Sequence, residues 1–98
     1  MNTYPQLYLV CYDICGPKRL REVYKTMRGY GDHLQYSVFR CALSPVQLAR
    51  MKADLTRSIE PSEDQVLIVP LGVPHRAEQR METLGVPLIH PERIVRIF

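Results

Sequence analysis

The run Leu7-Tyr8-Leu9-Val10-Cys11-Tyr12-Asp13-Ile14, stopped by Gly16-Pro17, decides the fold. Its β-branched, aromatic and aliphatic side chains fit a largely buried strand, and the Gly-Pro pair ends it. Alternation along the strand sends Tyr8 and Tyr12 to one sheet face, where packing is the expected role, and Asp13 to the other. Pro17 suits the first position of a helix, and Leu20, Val23, Tyr24 and Met27 then recur at helical spacing until Gly29. Lys18, Arg21, Lys25 and Arg28 fall on the opposite side as a continuous basic stripe. Such a stripe is either a solvated surface or a face for a polyanion, and its regular spacing favours the second.

Downstream, Gly29-Tyr30-Gly31 has neither the Lys nor the flanking pattern of a phosphate loop and reads as a helix stop and turn. His33 to Leu43, with Tyr36, Val38, Phe39, Cys41 and Leu43 among polar residues, reads as a second strand with one exposed aspect. Ser44-Pro45-Val46-Gln47 places a capping Ser, a Pro at the first helical position and a Gln that completes a capping box. Leu48, Met51, Leu55 and Ile59 give this second helix its apolar stripe, and Glu60-Pro61-Ser62 closes it before a strand over Gln65 to Leu71. Gly72-Val73-Pro74 breaks the chain. Arg76 to Leu84 reads as a short helix or a strand, with the strand favoured, and Arg93 to Phe98 as a half-buried strand able to pair with a second copy at an open edge. The pattern predicts an α+β sandwich of the ferredoxin-like βαββαβ kind, with two helices on one sheet face. One domain spans residues 1–98, with a core over about 7–72 and a dimerisation segment over about 73–98.

Composition narrows the function classes. Ninety-eight residues fit one domain, and no apolar stretch approaches the roughly 20 residues of a membrane span. Met1 is not followed by a basic region and a long apolar run, so the cytoplasm is the expected compartment. Three cysteines without CxxC spacing argue against a disulfide framework, and Cys11, Cys15 and Cys41 are expected to be small buried hydrophobes. The net charge of +3 is uneven: residues 1–59 carry nine Lys or Arg against four Asp or Glu, and residues 60–98 carry four against six.

Asp13 is the most informative single residue, a carboxylate ending an apolar strand directly before a turn. A turn or helix cap is its alternative role. Mg²⁺ is commonly held by one or two carboxylates plus waters and phosphates, so two Asp13 side chains across a twofold axis would suffice, and a metal role therefore requires a dimer. Ser37 and Phe39 share a face of the second strand. No His is placed to activate Ser37, and His33, His75 and His90 lack ligand spacing, which argues against a zinc or His-based site.

Tyr12-Asp13-Ile14, a basic first helix, Gly29-Tyr30-Gly31, Gln35-Tyr36-Ser37-Val38-Phe39 and Asp64 leading into the next strand resemble, in order and spacing over about residues 7–72, the small CRISPR-associated endoribonuclease family. These are short dimeric proteins that accompany the spacer integrase in CRISPR adaptation. The resemblance implies a ferredoxin-like fold, a homodimer whose C-terminal strand adds to the partner's sheet, and a Mg²⁺- or Mn²⁺-dependent nuclease assigned to Asp13. It places Ser37 and Phe39 near the interface and cleft, as catalytic positions, and Arg19 and Arg21 among the nucleic-acid contacts, to which the stripe spacing adds Lys18, Lys25 and Arg28. It also implies duplex prespacer DNA or single-stranded RNA as ligand. Two roles follow: a phosphodiester-hydrolysing nuclease, or a DNA-bridging adaptor that leaves the chemistry to the integrase. This chain departs from the family at Cys15-Gly16-Pro17, where many relatives carry polar or acidic residues.

Overall fold

The computed structural model describes residues 4–88. The element order is β1 (Gln6–Asp13), α1 (Pro17–Arg28), β2 (Asp32–Gln35), β3 (Val38–Leu43), α2 (Pro45–Ser58), β4 (Gln65–Gly72) and α3 (Pro74–Arg80). The strands form one antiparallel sheet in the order β2-β3-β1-β4, so β1 is an inner strand and Asp13 ends it. This is the expected ferredoxin-like βαββαβ arrangement, extended by α3.

Alternation decides the two faces. Val10 and Tyr12 of β1, Phe39, Cys41 and Leu43 of β3, Val23 and Met27 of α1, and Met51 and Leu55 of α2 form one buried cluster. Phe39 is wholly enclosed, which contributes about 1.5–3 kcal/mol by apolar burial. Ser44 accepts from the Gln47 backbone N–H while the Gln47 side chain accepts from the Ser44 N–H, completing the predicted capping box.

Three sequence expectations are corrected. The segment 33–43 is not one strand but a hairpin: Gln35 pairs with Val38 around a two-residue loop, Tyr36-Ser37. Tyr36 therefore leaves the strand and is 88% exposed. Its φ of 34° is the only positive value at a non-glycine among the described residues. Hairpin loops normally put Gly at such a place, and a side chain there costs about 1–3 kcal/mol. In the segment favoured as a strand from Arg76, residues up to Arg80 take the helical alternative as part of α3, which begins on Pro74 as α1 begins on Pro17 and α2 on Pro45, and 81–84 are irregular. Arg40 alternates with core residues Phe39 and Cys41, yet its guanidinium lies 3.5 Å from Glu78. That pair sets α3 on the sheet face opposite α1 and α2. Third, Cys15 is exposed and Cys11 half-buried; only Cys41 is enclosed, and burial pushes its thiol up to about 11. The predicted strand over 93–98 and His90 lie outside the described residues.

Gly31 is required by a close approach. A Cβ there would run into the Arg40 carbonyl oxygen and the Cys41 Sγ, so the turn after α1 can lie against β3 only without a side chain.

Candidate active site and basic helix face

The β1 strand delivers Asp13 to the sheet's end, where it pairs with Gln65 of β4 on one side. On the other side the β1–β3 register runs through Cys11–Val38, and the Tyr12 backbone N–H donates to the Ser37 carbonyl at 3.0 Å. The ladder ends there, at the Tyr36-Ser37 loop of the hairpin. The Asp13 side chain is exposed at this edge of the sheet.

The loop after Asp13 is held by a buried acid that sequence reasoning did not single out for this. Asp64, whose side chain has no exposed surface, accepts from the Cys15 backbone N–H at 2.8 Å and from the Glu60 N–H at 2.8 Å. Arg19 Nε donates to Asp64 Oδ2 at 2.8 Å, and its Nη2 donates to Glu63 at 2.8 Å and to the Cys15 carbonyl. The Cys15 Sγ donates to the Glu63 carbonyl at 3.1 Å. The Arg19 hydrogen bond, against the cost of burial, and the two backbone donors hold the Asp64 carboxyl down at about 2. The only sequence signal for this clasp was Asp64's place before a strand.

The predicted site residues therefore separate. Asp13 and Ser37 lie at the same end of the sheet. Lys18, Arg21, Lys25 and Arg28 are exposed on α1, one helix turn and more beyond Asp13. Arg19, expected among the nucleic-acid contacts, points into the clasp and is committed to Asp64 and Glu63. Phe39, expected at the cleft as a catalytic position, is wholly buried and cannot touch a substrate. Its ring packs on His33, with centroids 4.9 Å apart, and lies 5.7 Å from Tyr24 and 6.2 Å from Tyr12. Burial, with Tyr24 adding, pushes the Tyr12 phenol up to about 12, partly offset by Ser37.

Among the described residues no three His, Cys, Asp or Glu side chains gather to hold a metal. An open groove of about 500 Å³ lies between the end of α1, β3 and α2, lined by Tyr30, Gln47, Arg50 and Asp54 among others, and includes none of the predicted site residues. No helix of the described residues is long and apolar enough to cross a membrane.

A four-stranded antiparallel sheet with α1 and α2 on one face defines a small ferredoxin-like α+β protein with an exposed acid at the end of an inner strand. Residues 6–79 match the family model described as CRISPR associated protein Cas2. The chain is 52% identical over 64 residues to CRISPR-associated endoribonuclease Cas2 2 of Thermodesulfovibrio yellowstonii, covering 65% of this chain and 70% of that one. It is 42% identical over 78 residues to CRISPR-associated endoribonuclease Cas2 1 of Rhodospirillum rubrum, covering 80% and 76%. The crystal structure of Streptococcus pyogenes Cas2 at pH 6.5 superposes with a TM-score of 0.73 at 37% identity, covering 81% of this chain and 99% of that one. A hypothetical protein of Thermus thermophilus superposes at 0.74 with 29% identity, covering 84% and 93%. The chain belongs to the CRISPR-associated Cas2 family.

Proposed function

We propose that the protein acts in the cytoplasm as a homodimer that binds nucleic acid beside the spacer integrase during CRISPR spacer acquisition, and that it hydrolyses phosphodiesters at Asp13. The observation that carries this reading is the exposed Asp13 carboxylate at the end of β1, followed at once by a helix that exposes Lys18, Arg21 and Lys25. Phosphate contacts from such a helix give sequence-independent, salt-sensitive binding, which suits duplex prespacer DNA and single-stranded RNA alike. Relatives named endoribonuclease and endonuclease support the hydrolytic class.

Mg²⁺ or Mn²⁺ is commonly held by one or two carboxylates plus waters and phosphates, so the Asp13 of a second copy beside this one would make a sufficient site. The sheet face opposite α1 and α2 suits that second copy: Leu9, Cys11 and Val69 are half-buried there and Leu67 is 55% exposed. When held by the two Asp13 carboxylates, the ion would polarise a phosphate and lower the pKa of an attacking water. The chain's own work is to present Asp13 on an inner strand, to hold the loop after it through Asp64, and to neutralise the phosphate backbone with Lys18 and Arg21.

One observation favours a second reading, a DNA-bridging adaptor whose nuclease site is vestigial. Arg19, the guanidinium nearest in sequence to Asp13, is committed to Asp64 and Glu63, so it does not meet charge developing on a phosphate. Purified wild type and Asp13→Asn are compared with Mg²⁺ for cleavage of RNA and DNA and for duplex binding. Cleavage lost in Asp13→Asn with binding intact supports the nuclease, and equal cleavage by both sinks it. Tight duplex binding with no cleavage by either favours the adaptor.

A further inference from the structure

Tyr36 combines three features that fold economy does not explain. Its ring is 88% exposed, its backbone sits at a positive φ that a tyrosine adopts at a cost, and it adjoins Ser37, whose carbonyl accepts from the Tyr12 N–H next to Asp13. The conformation is held from beneath. His33 Nε2 donates to the Tyr36 carbonyl, and the imidazole is fixed by Phe39 and, edge-on at 5.3 Å, by Tyr24. His33 Nδ1 is buried and without a hydrogen-bond partner among the described residues. The wholly buried Phe39 thus packs on the imidazole that holds the Tyr36 turn. Strained residues kept in place by their surroundings cluster at ligand clamps and active sites.

We infer, on the basis of the nucleic-acid role proposed above, that the Tyr36 ring is a stacking platform for an unpaired nucleobase of a strand laid along the Asp13 end of the sheet. Base–aromatic stacking needs a free ring face and is tolerant of sequence, while the exposed cations of α1 supply the backbone contacts that such platforms accompany. Inside a closed duplex both faces of each base are covered by neighbours, so the ring discriminates single-stranded from fully paired substrate. Loss of such a platform typically lowers affinity about 5- to 100-fold.

The test uses the full chain. Tyr36→Asn removes the ring but keeps a residue that tolerates positive φ, and Tyr36→Phe keeps the ring. Affinities are measured for a short single-stranded oligonucleotide and for covalently closed circular duplex DNA, with size-exclusion chromatography of each variant. The expected result is a loss of about 5- to 100-fold for the single strand in Tyr36→Asn, little change in Tyr36→Phe, and unchanged duplex affinity in both. The chain has no Trp, so Tyr36→Trp adds a single reporter whose emission the oligonucleotide should quench and the closed duplex should not. Wild-type single-strand affinity in Tyr36→Asn overturns the platform alone, as does an equal loss for both ligands. A shift in oligomeric state that accompanies the loss also overturns it, by assigning the ring to a contact between copies. Failure of wild type to bind either nucleic acid overturns the functional reading and the platform with it.

Discussion

Arg19 Nε and Asp64 Oδ2 lie 2.8 Å apart across 45 positions of sequence, and Asp64's other oxygen holds the Cys15 N–H two residues after Asp13. The pair joins the start of α1, the end of β1 and the start of β4. Asp64 titrates at about 2 in the fold against 3.8 ordinarily, so the unfolded chain takes up the proton first on acidification. Its stabilisation is complete above about pH 4 and falls away as the pH drops toward 2. Urea midpoints between about pH 6 and about pH 2.5 should show this loss in wild type and a shallower one in Asp64→Asn, which starts from lower stability. An unchanged slope in Asp64→Asn would rule the clasp out as its source.

Arg19 and Arg21 are two residues apart and should behave differently. Arg19→Ala removes the partner of a buried carboxylate and is expected to lower Tm clearly. Arg21→Ala, on the exposed side, leaves Tm unchanged and weakens nucleic-acid binding. Thermal melts and binding titrations on both variants distinguish the roles, and equal Tm values would refute the division.

Reversing Lys18, Arg21 and Lys25 together to Glu tests the exposed α1 face. For every phosphate that the helix no longer neutralises, the slope of log affinity against log salt should become shallower by about 0.9 on duplex DNA. A triple variant with the wild-type slope would show that the duplex binds elsewhere.

Gly31→Ala drives a Cβ against the Arg40 carbonyl and the Cys41 Sγ. The expected cost is about 1–3 kcal/mol, read from denaturant unfolding, with about 4–8 °C lost from Tm for each kcal/mol in a domain of this size. A neutral substitution would mean that the turn can lift off β3 freely.

Tyr36→Asn carries a stability prediction of its own. Little surface is buried by the ring, and relief of the positive φ should raise stability by about 1 kcal/mol. Calorimetry would reveal a gain in stability; a loss would mean that the ring contributes more to packing than its exposure indicates.

Much of the fold is legible from local chemistry. The Gly16-Pro17 stop, the helical spacing of Val23 and Met27, and the Ser44–Gln47 capping box each act within a few residues, and each takes in the structure the form its residues dictate. The hairpin was hidden because Tyr36-Ser37 lacks the Gly or Asn that normally marks such a loop. Pro74, read only as a chain break, opens α3 as Pro17 and Pro45 open their helices, but the seven residues of α3 are too few to show a helical apolar stripe. Arg19 stands among the expected nucleic-acid contacts by resemblance alone, because nothing near it announces a partner 45 residues away. Burial of Phe39 likewise depends on α1 and α2 closing over β3, which a motif position does not convey.

The bond from Cys15 to Asp64 spans 49 positions, with α1, the β2–β3 hairpin and α2 all synthesised in between. As the chain leaves the ribosome, the Asp13 strand emerges early, but its loop cannot take its final shape until β4 has arrived. Nascent chains and truncation products that end before Asp64 carry the acid without its frame. The Asp13 end of the sheet is thus among the last parts to take its final shape, when synthesis of the core is nearly finished.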